Sequence, residues 1–288
     1  MSDRTGAWFE DVTRHETAAS ATAIRSGSRA EPAPWPELAV ESGAATDEDD
    51  YYDWLHDATV AATADAAQEL ERADDRQLVH AVRAMDDCRR TANELAERLA
   101  EWGGTVDDEP GTGVAYARRI VAGETAIEDE TITSLAERVV DLEDEALALE
   151  DRLDRVAPTV APNLVALADP VLAARLISLA GSLEALAKQP SGTIQVLGAE
   201  DALFAHLRGH APSPKHGVIY THEAVRGTAP ANRGSAARAV AGKLAIAARV
   251  DHYAGDRRPD LERELAERIE TIQARDGATE STEAGTDD

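Results

Sequence analysis

Apolar residues recur at alternating steps of three and four along two long stretches of this chain, which predicts two long helices. The first helical pattern runs from about Asp50 to Trp102. Its seam consists of Met85, Cys88, Ala92, Leu95, Leu99 and Trp102. The second seam is longer: Ile132, Leu135, Val139, Leu142, Ala146, Leu149, Leu153 and Val156. Such heptads are typical of coiled coils. The glycine-rich segment GGTVDDEPGTG lies between the two patterns, so we expect an antiparallel hairpin.

The heptad pattern does not determine what the hairpin packs against. Two helices of this kind can pack only on each other, or the hairpin can also dimerise with a second copy, and periodicity does not separate these alternatives. Pro158 and Pro162 are predicted to end the coil, because proline removes a backbone donor and disfavours helix in the preceding residue.

The flanking segments have different patterns. Residues 1–46 are rich in Gly, Pro, Ser and Thr, and Pro32, Pro34 and Pro36 prevent any continuous helix, which indicates a short, weakly specified arm. Residues 47–157 form the coil, and residues 158–256 form a denser domain of several helices separated by Gly and Pro. Residues 257–288 carry one more amphipathic helix and an acidic, solvated tail, GATESTEAGTDD. The predicted fold class is therefore mainly α.

The composition and net charge of this chain indicate a protein that works at high salt concentration. Its 288 residues, 43% of them apolar, are enough for one or two cores. A net charge of −26, carried with 26 Arg but only three Lys, is typical of proteins from salt-loaded halophilic archaea. In molar salt the Debye length falls to about 3 Å, so an acidic surface does not exclude RNA as a partner.

Cys88 is the only cysteine, which excludes an intrachain disulfide and a cysteine-based zinc site and fits a reducing cytoplasm. The sequence contains no apolar run near the roughly 20 residues that a membrane span needs, and the N-terminus lacks a basic, then apolar, signal pattern. A cytoplasmic protein without membrane contact is expected.

Positive charge concentrates in the denser domain. Between Ser213 and Val250 the sequence has six basic residues and a single acidic residue, Glu223. The six are Lys215, Arg226, Arg233, Arg238, Lys243 and Arg249. Because Lys and Arg are the donors that phosphate contacts need, a basic island in an acidic chain predicts an RNA footprint. Chance clustering on a solvated face is the alternative.

The segment from Arg233 to Tyr253 sharpens this prediction. At about 100° per residue, Arg238, Arg249 and His252 fall within about 60° of one another. A separate arc carries the small apolar residues Val240, Ala241, Leu244, Ala247 and Ala248. Lys243 points away from the basic stripe, toward a second partner or toward solvent.

The sequence contains no complete catalytic motif. His206 and His210 have the spacing of metal ligands on a helix, but Gly209 breaks the helix between them and no neighbouring acid completes a metalloprotease motif. Nucleophile elbows, Walker-type loops and dinucleotide fingerprints are absent from the sequence. We therefore predict no catalytic residue, no metal and no cofactor. A metal-dependent hydrolase is kept as a competing hypothesis, using His206, His210, His216 and His222.

Residues 160–255 closely resemble the Nop domain. The matching blocks, in family order, are APNLVAL (161–167), LAGSLEALAKQPSGTIQVLGAE (179–200), PKHGVIY (214–220) and RGSAARAVAGKLAIAARVD (233–251). In the coil, NELAERLAEW (93–102) resembles the end of the family's helix before its loop. The resemblance implies an all-helical domain that recognises jointly a kink-turn RNA and the small ribosomal-type protein bound to it.

The resemblance also implies site residues. Those in the RNA- and partner-facing segments are Lys188, Ser191, Lys215, His216, Arg233, Arg238, Lys243 and Arg249. Lys and Arg suit phosphate, and His216 suits either stacking on an unpaired base or packing in a turn. The family's GAEK-ALFR stretch, near the end of the guide-substrate duplex, reads GAEDALFA here, so two basic side chains are missing. Leu203 and Phe204 are expected to cap that duplex end by apolar stacking.

The function implied is a non-enzymatic scaffold of the box C/D ribonucleoprotein. Its implied partners are the box C/D guide RNA, the kink-turn-binding protein, a second copy through the coil, and fibrillarin, the methyltransferase that supplies S-adenosylmethionine. The N-terminal residues Trp8, Phe9, Ile24, Trp35 and Leu38 are expected to form a reduced fibrillarin-docking patch or only a small satellite core. The runner-up function is a splicing-type adaptor that reads a kink-turn complex without recruiting a methyltransferase.

Overall fold

The computed structural model describes residues 7–14, 16–27 and 31–283, with side chains as far as residue 274. All regular elements within these ranges are helices, which confirms the predicted fold class. The chain divides into two units, Met1–Ala73 and Asp74–Asp288.

The first unit contains α1 (Thr17–Ser26), α2 (Trp35–Glu41) and α3 (Glu48–Glu71). The side chain of Asp47 caps α3 by accepting a hydrogen bond from the Asp50 backbone N–H. Pro36 lies in the first turn of α2, where a missing backbone N–H costs nothing. The prediction of a weakly specified arm before residue 47 was therefore incomplete, because two short helices fit around its prolines.

An aromatic cluster forms the core of the first unit. Phe9, Tyr51 and Trp54 are buried, and the Trp54 indole donates a 3.1 Å hydrogen bond to the Ser20 hydroxyl, tying α1 to α3. Trp8, Trp35 and Leu38 pack around this cluster, whereas Ile24 is half-buried on α1 outside it. Four of the five predicted residues therefore belong to a small core of the first unit, which was one of the two predicted alternatives.

The second unit begins with a helical hairpin made of α4 (Asp74–Gly103), α5 (Gly113–Val121) and α6 (Glu130–Val160). The single helix predicted from Asp50 to Trp102 is two helices, interrupted at Arg72 and Ala73. α3 thus belongs to the first unit, although the predicted boundary at residue 46 assigned it to the coil.

Proline does not end the coil where expected. Pro158 lies inside the last turn of α6, and the helix ends at Val160, before Pro162. Pro158 has no N–H to donate to residue 154 and its ring crowds that carbonyl, so the last turn of α6 forms in spite of the proline.

The two long helices pair antiparallel within one chain. Alternate seam residues are fully buried: Met85, Ala92 and Leu99 on α4, and Ile132, Val139, Ala146 and Leu153 on α6. The intervening seam residues, such as Leu142 and Leu149, are only half-buried, and Trp102 is 43% exposed, contrary to its predicted place in the seam. At the hairpin tip, Tyr116 of α5 is buried and its hydroxyl donates a 2.9 Å hydrogen bond to Asp107.

The rest of the second unit is an assembly of helices around α13. It comprises α7 (Pro162–Ala168), α8 (Pro170–Ala180), α9 (Leu183–Lys188), α10 (Ser191–Val196), α11 (Glu200–Leu207), a 3₁₀ turn (Val218–Thr221), α12 (Glu223–Arg226), α13 (Arg233–Tyr253) and α14 (Asp260–Glu283). The predicted small-residue arc of α13 is buried, which confirms that face.

The last helix, α14, packs on this core through Leu261, Leu265, Ile269 and Ile272. Its apolar residues belong to the same core as α13, so the predicted boundary at residue 256 does not separate two cores. α14 also continues to Glu283, into the segment predicted to be a tail, whereas residues 284–288 lie outside the described residues.

Within the described ranges, no single helix is both long and apolar enough to cross a membrane. α7 and α8 together pass that test of length and composition, but they are bent by 115° at the break between them.

Candidate nucleic-acid interface

A groove of about 440 Å³ lies between α10, α11, the segment 213–215 and the beginning of α13. Its lining consists of Gly192, Gln195, Val196, Leu203, Ser213, Pro214, Lys215, Gly234 and Arg238. The Lys215 and Arg238 side chains are exposed, and neither is paired with a carboxylate within the described part of the chain. The groove therefore presents two cations that are available to an anionic ligand.

Backbone pairing fixes the segment that carries Lys215. The Gln195 side-chain amide donates to the Lys215 carbonyl at 2.7 Å, and the Gly217 and Val218 N–H groups donate to the Gln195 and Leu197 carbonyls at 2.9 and 2.7 Å. A Cβ atom added to Gly217 would lie 1.9 Å from the Leu197 carbonyl oxygen. Only glycine fits this approach, which accounts for the glycine of PKHGVIY.

Next to the groove, His216 and Tyr220 form a stacked pair. Their ring centroids are 4.7 Å apart and their planes differ by 21°. The Arg233 guanidinium carbon lies 5.4 Å from the centroid of the Tyr220 ring, and its Nε donates to the Thr228 carbonyl at 3.2 Å. Burial, followed by the nearby charges of Arg233 and Lys215, lowers the pKa of the His216 imidazole below its ordinary value.

Arg249, predicted to face RNA, has its guanidinium occupied by its own chain. Its Nε donates to the Ala187 carbonyl at 3.1 Å and one terminal nitrogen donates to the Gln189 carbonyl at 3.0 Å. These carbonyls belong to the C-terminal end of α9, where a cation is favoured by the helix dipole. Arg249 thus holds the turn that leads from Lys188 to Ser191.

Lys188 and Ser191 themselves are exposed. The Lys188 ammonium lies 2.5 Å from the Glu184 carboxylate one helical turn earlier, and this carboxylate raises the pKa of Lys188. Because both side chains of the pair are more than half exposed, the pair is weak and the ammonium remains accessible.

Lys243, predicted to point toward a second partner or toward solvent, is paired with an acid of its own chain. Its ammonium is paired with the Glu264 carboxylate of α14, and its side chain is mostly buried. The ion pair of Lys243 with Glu264 therefore links α13 to α14.

The two residues predicted to cap the duplex end lie in different surroundings. Leu203 is half-buried in the wall of the groove, whereas Phe204 is 58% exposed on α11. Phe204 is thus the side chain of the pair that offers a free apolar surface.

The histidines of the competing metal hypothesis are engaged with separate backbone segments. His206 Nδ1 lies 3.0 Å from the Ala211 carbonyl, and His222 Nε2 lies 2.7 Å from the Leu167 carbonyl while its Nδ1 accepts from the Ala224 N–H. α11 ends at Leu207 and Gly209 has φ of 78°, as predicted. Across the described residues, no group of three or more His, Cys, Asp or Glu is arranged to hold a metal ion.

A larger cavity, about 820 Å³, lies between α4, α8 and the segment 217–221. Its apolar lining includes Leu179 and Tyr220, both substantially exposed. Charged groups in its wall are paired within the chain: Arg175 with Asp86 at 2.5 Å, and Arg83 with the Ser178 hydroxyl at 3.0 Å. This second cavity is therefore suited to an uncharged surface rather than to phosphate.

Prediction from residue types missed Tyr220, which stacks on His216, and Gln195, which donates to the Lys215 carbonyl. Tyr220 stands inside that motif, so its aromatic ring, spaced four residues from His216, was the available signal. No local pattern pointed to Gln195, because its contact with Lys215 spans 20 residues.

The region that carries this geometry matches a known family. The family model named Nop, described as snoRNA binding domain, fibrillarin, matches residues 115–273. The match begins within α5 and ends within α14. It therefore contains the groove, the stacked pair and the Lys243–Glu264 ion pair between α13 and α14.

Individual relatives agree. An uncharacterised NOP5 family protein of Methanocaldococcus jannaschii is 38% identical over 69% of this chain and 57% of its own length. Nucleolar protein 58 of Scheffersomyces stipitis is 34% identical over 72% of this chain and 49% of its own length. The chain spans about half the length of the curated relatives it matches.

A solved crystal structure of a fibrillarin/Nop5p complex contains a chain with the same fold. It aligns over 88% of this chain and 91% of that chain, with a TM-score of 0.54 and 25% sequence identity.

Proposed function

Because the chain belongs to the Nop family, we propose that it is the RNA-binding scaffold of a box C/D ribonucleoprotein. In this role it bridges the guide RNA and its kink-turn-binding protein to fibrillarin for RNA-guided 2′-O-methylation of ribosomal and transfer RNA. The chain contributes no catalytic group and no cofactor, since the methyltransferase supplies S-adenosylmethionine and the active site.

The groove with Lys215 and Arg238 is the observation that carries the RNA-binding proposal. The chain has a net charge of −26, so carboxylates are abundant, yet the two cations of this groove are not paired with any within the described residues. We infer that they bind an anionic ligand. Phosphate is that anion, because Arg and Lys side chains supply its usual donors. The match to a family model described as a snoRNA binding domain supports the same class of ligand.

Recognition is composite in this proposal. The 820 Å³ cavity, whose charged groups are already paired, offers the apolar surface of Leu179 to the kink-turn-binding protein. The segment 217–221 forms one wall of this cavity, and Lys215 and His216 immediately precede it. Protein and RNA would therefore contact adjacent parts of one short segment.

Fibrillarin docking is assigned to the first unit. Its aromatic residues are used in the core, but Tyr52, Val60 and Leu70 are each more than half exposed on α3. At about 100° per residue these three fall within about 80° of one another, so they form one apolar stripe. Fibrillarin is proposed to bind this stripe; the adaptor alternative predicts that it does not.

Homodimerisation through the hairpin is part of the proposal. The pairing of α4 with α6 buries alternate seam residues but leaves others, including Leu142 and Leu149, half-buried, and Leu147 is exposed. A second copy would cover these apolar side chains. Light scattering after size exclusion at molar salt tests this, and a monomeric mass at high concentration would remove dimerisation from the proposal.

Reconstitution at molar salt tests the function. The chain is mixed with a box C/D guide RNA, the kink-turn-binding protein and fibrillarin, and methyl transfer to a complementary RNA is measured. Transfer that depends on this chain supports the scaffold. Assembly on RNA without fibrillarin recruitment favours the splicing-type adaptor.

If the folded chain neither assembles nor recruits, both RNA-binding functions are wrong. The metal-dependent hydrolase makes a separate prediction: purified protein contains stoichiometric metal, and His206→Ala loses activity. Elemental analysis showing no metal would end that hypothesis.

A further inference from the structure

The stacked pair of His216 and Tyr220 is not part of a hydrophobic core. Tyr220 is 39% exposed and His216 is half-buried, while the residue between them that does enter the core is Ile219. Two rings held face to face at the surface, beside an available lysine, form a platform rather than a packing filler. Aromatic platforms of this kind stack unpaired bases in RNA-binding proteins.

Two contacts hold the platform in place. The close approach of Gly217 to the Leu197 carbonyl fixes the backbone between the two rings. Arg233, attached to the Thr228 carbonyl, lies against the Tyr220 ring, and cation–π attraction favours this arrangement. A ligand that binds here does not have to immobilise the imidazole, which lowers the entropic cost of binding.

Charge on the platform is also arranged for a nucleotide. Burial and the neighbouring Arg233 and Lys215 charges lower the pKa of the His216 imidazole, which favours its neutral form. A neutral ring carries little hydration and is readily covered by a base, whereas phosphate is drawn to Lys215 and Arg233.

We propose that Tyr220 is a positioning residue that holds His216 as the stacking surface for one unpaired nucleotide, with Arg233 and Lys215 beside it for the phosphate. This inference rests on the proposed RNA-binding function and adds to it the positioning role of Tyr220. Tyr220 acts through His216: its ring backs the imidazole and links it to Arg233.

The test uses the full chain at molar salt with a kink-turn guide RNA carrying its kink-turn-binding protein. Unpaired nucleotides of the RNA are replaced one at a time by fluorescent 2-aminopurine, which is quenched on stacking. Binding by the wild-type chain is measured first, because its absence would refute the proposed function and not the role of Tyr220.

Tyr220→Leu is expected to lower affinity about 5- to 50-fold and to abolish quenching at one nucleotide, within the range for loss of one base stack. Tyr220→Phe keeps the ring and should bind within about twofold of wild type. His216→Ala should match Tyr220→Leu, and the double variant should lose no more than either single variant, because both remove the same platform.

If Tyr220→Leu proves unstable, Tyr220→Met fills a similar volume with a flexible side chain and takes its place. The proposal is overturned if a folded variant without the ring keeps full affinity and quenching, or if the losses for Tyr220 and His216 multiply. It is also overturned if Tyr220→Leu weakens binding to the kink-turn-binding protein alone by the same factor, which would make this a protein-binding surface.

Discussion

Asp251, near the end of α13, accepts hydrogen bonds from Asn163 at the beginning of α7, 88 residues earlier in the chain. The backbone N–H of Asn163 donates at 3.0 Å and its side-chain amide at 2.6 Å, while the Leu164 N–H donates to the second carboxylate oxygen at 2.8 Å. The side-chain oxygen of Asn163 in turn accepts from the Arg258 N–H at 2.6 Å. One carboxylate therefore caps α7 and, through Asn163, holds the connection to α14.

Removing this carboxylate should destabilise the second unit. Asp251→Ala is expected to lower the free energy of unfolding by about 2 to 3 kcal/mol, because three N–H groups lose a charged acceptor. Urea denaturation at molar salt measures the change. Asp256→Ala is the matched control, since that exposed residue contributes only its backbone carbonyl to the network. Equal midpoints for the two variants would contradict this role for Asp251.

Gly217→Ala should destabilise the same unit for a steric reason. The added methyl group would lie 1.9 Å from the Leu197 carbonyl oxygen, so the segment 216–220 must move away from α10. We expect a loss of about 1 to 3 kcal/mol, as for other overpacked positions. Gly192→Ala is the control because nothing lies within 4 Å of the added atom. A thermal unfolding curve for Gly217→Ala that overlays the control would show that the close approach is absent in solution.

The sequence pattern was sufficient for the parts of the fold that are set locally. Heptad spacing predicted the paired seams of α4 and α6, the glycine-rich segment predicted the turn after α4, and the small-residue arc predicted the buried face of α13. It failed where tertiary contacts decide, as for Pro158, which the last turn of α6 tolerates, and for Trp102, which the hairpin tip leaves exposed. The helix is also interrupted at Arg72 and Ala73, where no Gly or Pro indicates a break in the sequence.

Site prediction was limited in the same way. Residue type and motif identified Lys215 and Arg238, which the structure brings into one groove. Arg249 and Lys243 carry the same chemistry in the same helix, yet their partners are carbonyls about 60 residues away and a carboxylate on α14. Whether a basic side chain is available for RNA therefore depends on long-range contacts that a single sequence does not encode locally.

Arg238 and Arg249 should respond differently to neutralisation. Arg238→Gln is expected to weaken assembly with the guide RNA and its kink-turn-binding protein. It should also flatten the dependence of log affinity on log salt by about one unit, as for loss of one phosphate contact. Its stability should be unchanged, because the side chain is exposed and unpaired within the described residues. Binding isotherms at several salt concentrations measure the slope.

Arg249→Gln should instead cost about 1 to 2 kcal/mol of stability, since two carbonyls at the end of α9 lose a charged donor. Its salt slope should stay at the wild-type value even if affinity falls through movement of Lys188 and Ser191. Equal flattening of the slope in both variants would show that Arg249 contacts phosphate directly.

The hairpin tip should lose stability at high pH. Burial, followed by the hydrogen bond to Asp107 and its negative charge, raises the pKa of Tyr116 to about 12. Above the ordinary phenol pKa of about 10, the unfolded chain releases this proton while the folded chain retains it, so the free energy of unfolding falls as pH rises between about 10 and 12. The slope contributed by Tyr116 approaches about 1.4 kcal/mol per pH unit.

Tyr116→Phe isolates this contribution. The variant should be less stable at neutral pH by about 1 to 3 kcal/mol, because the buried Asp107 carboxylate loses the phenol donor and keeps the Glu109 N–H at 3.1 Å. Its stability should then decline less steeply than wild type from pH 10 to pH 12. Tyr52→Phe, at an exposed tyrosine, controls for general alkaline effects and should decline in parallel with wild type. Chemical denaturation across this pH range decides the matter, since parallel curves for all three proteins would mean that Tyr116 is not protonated preferentially in the folded state.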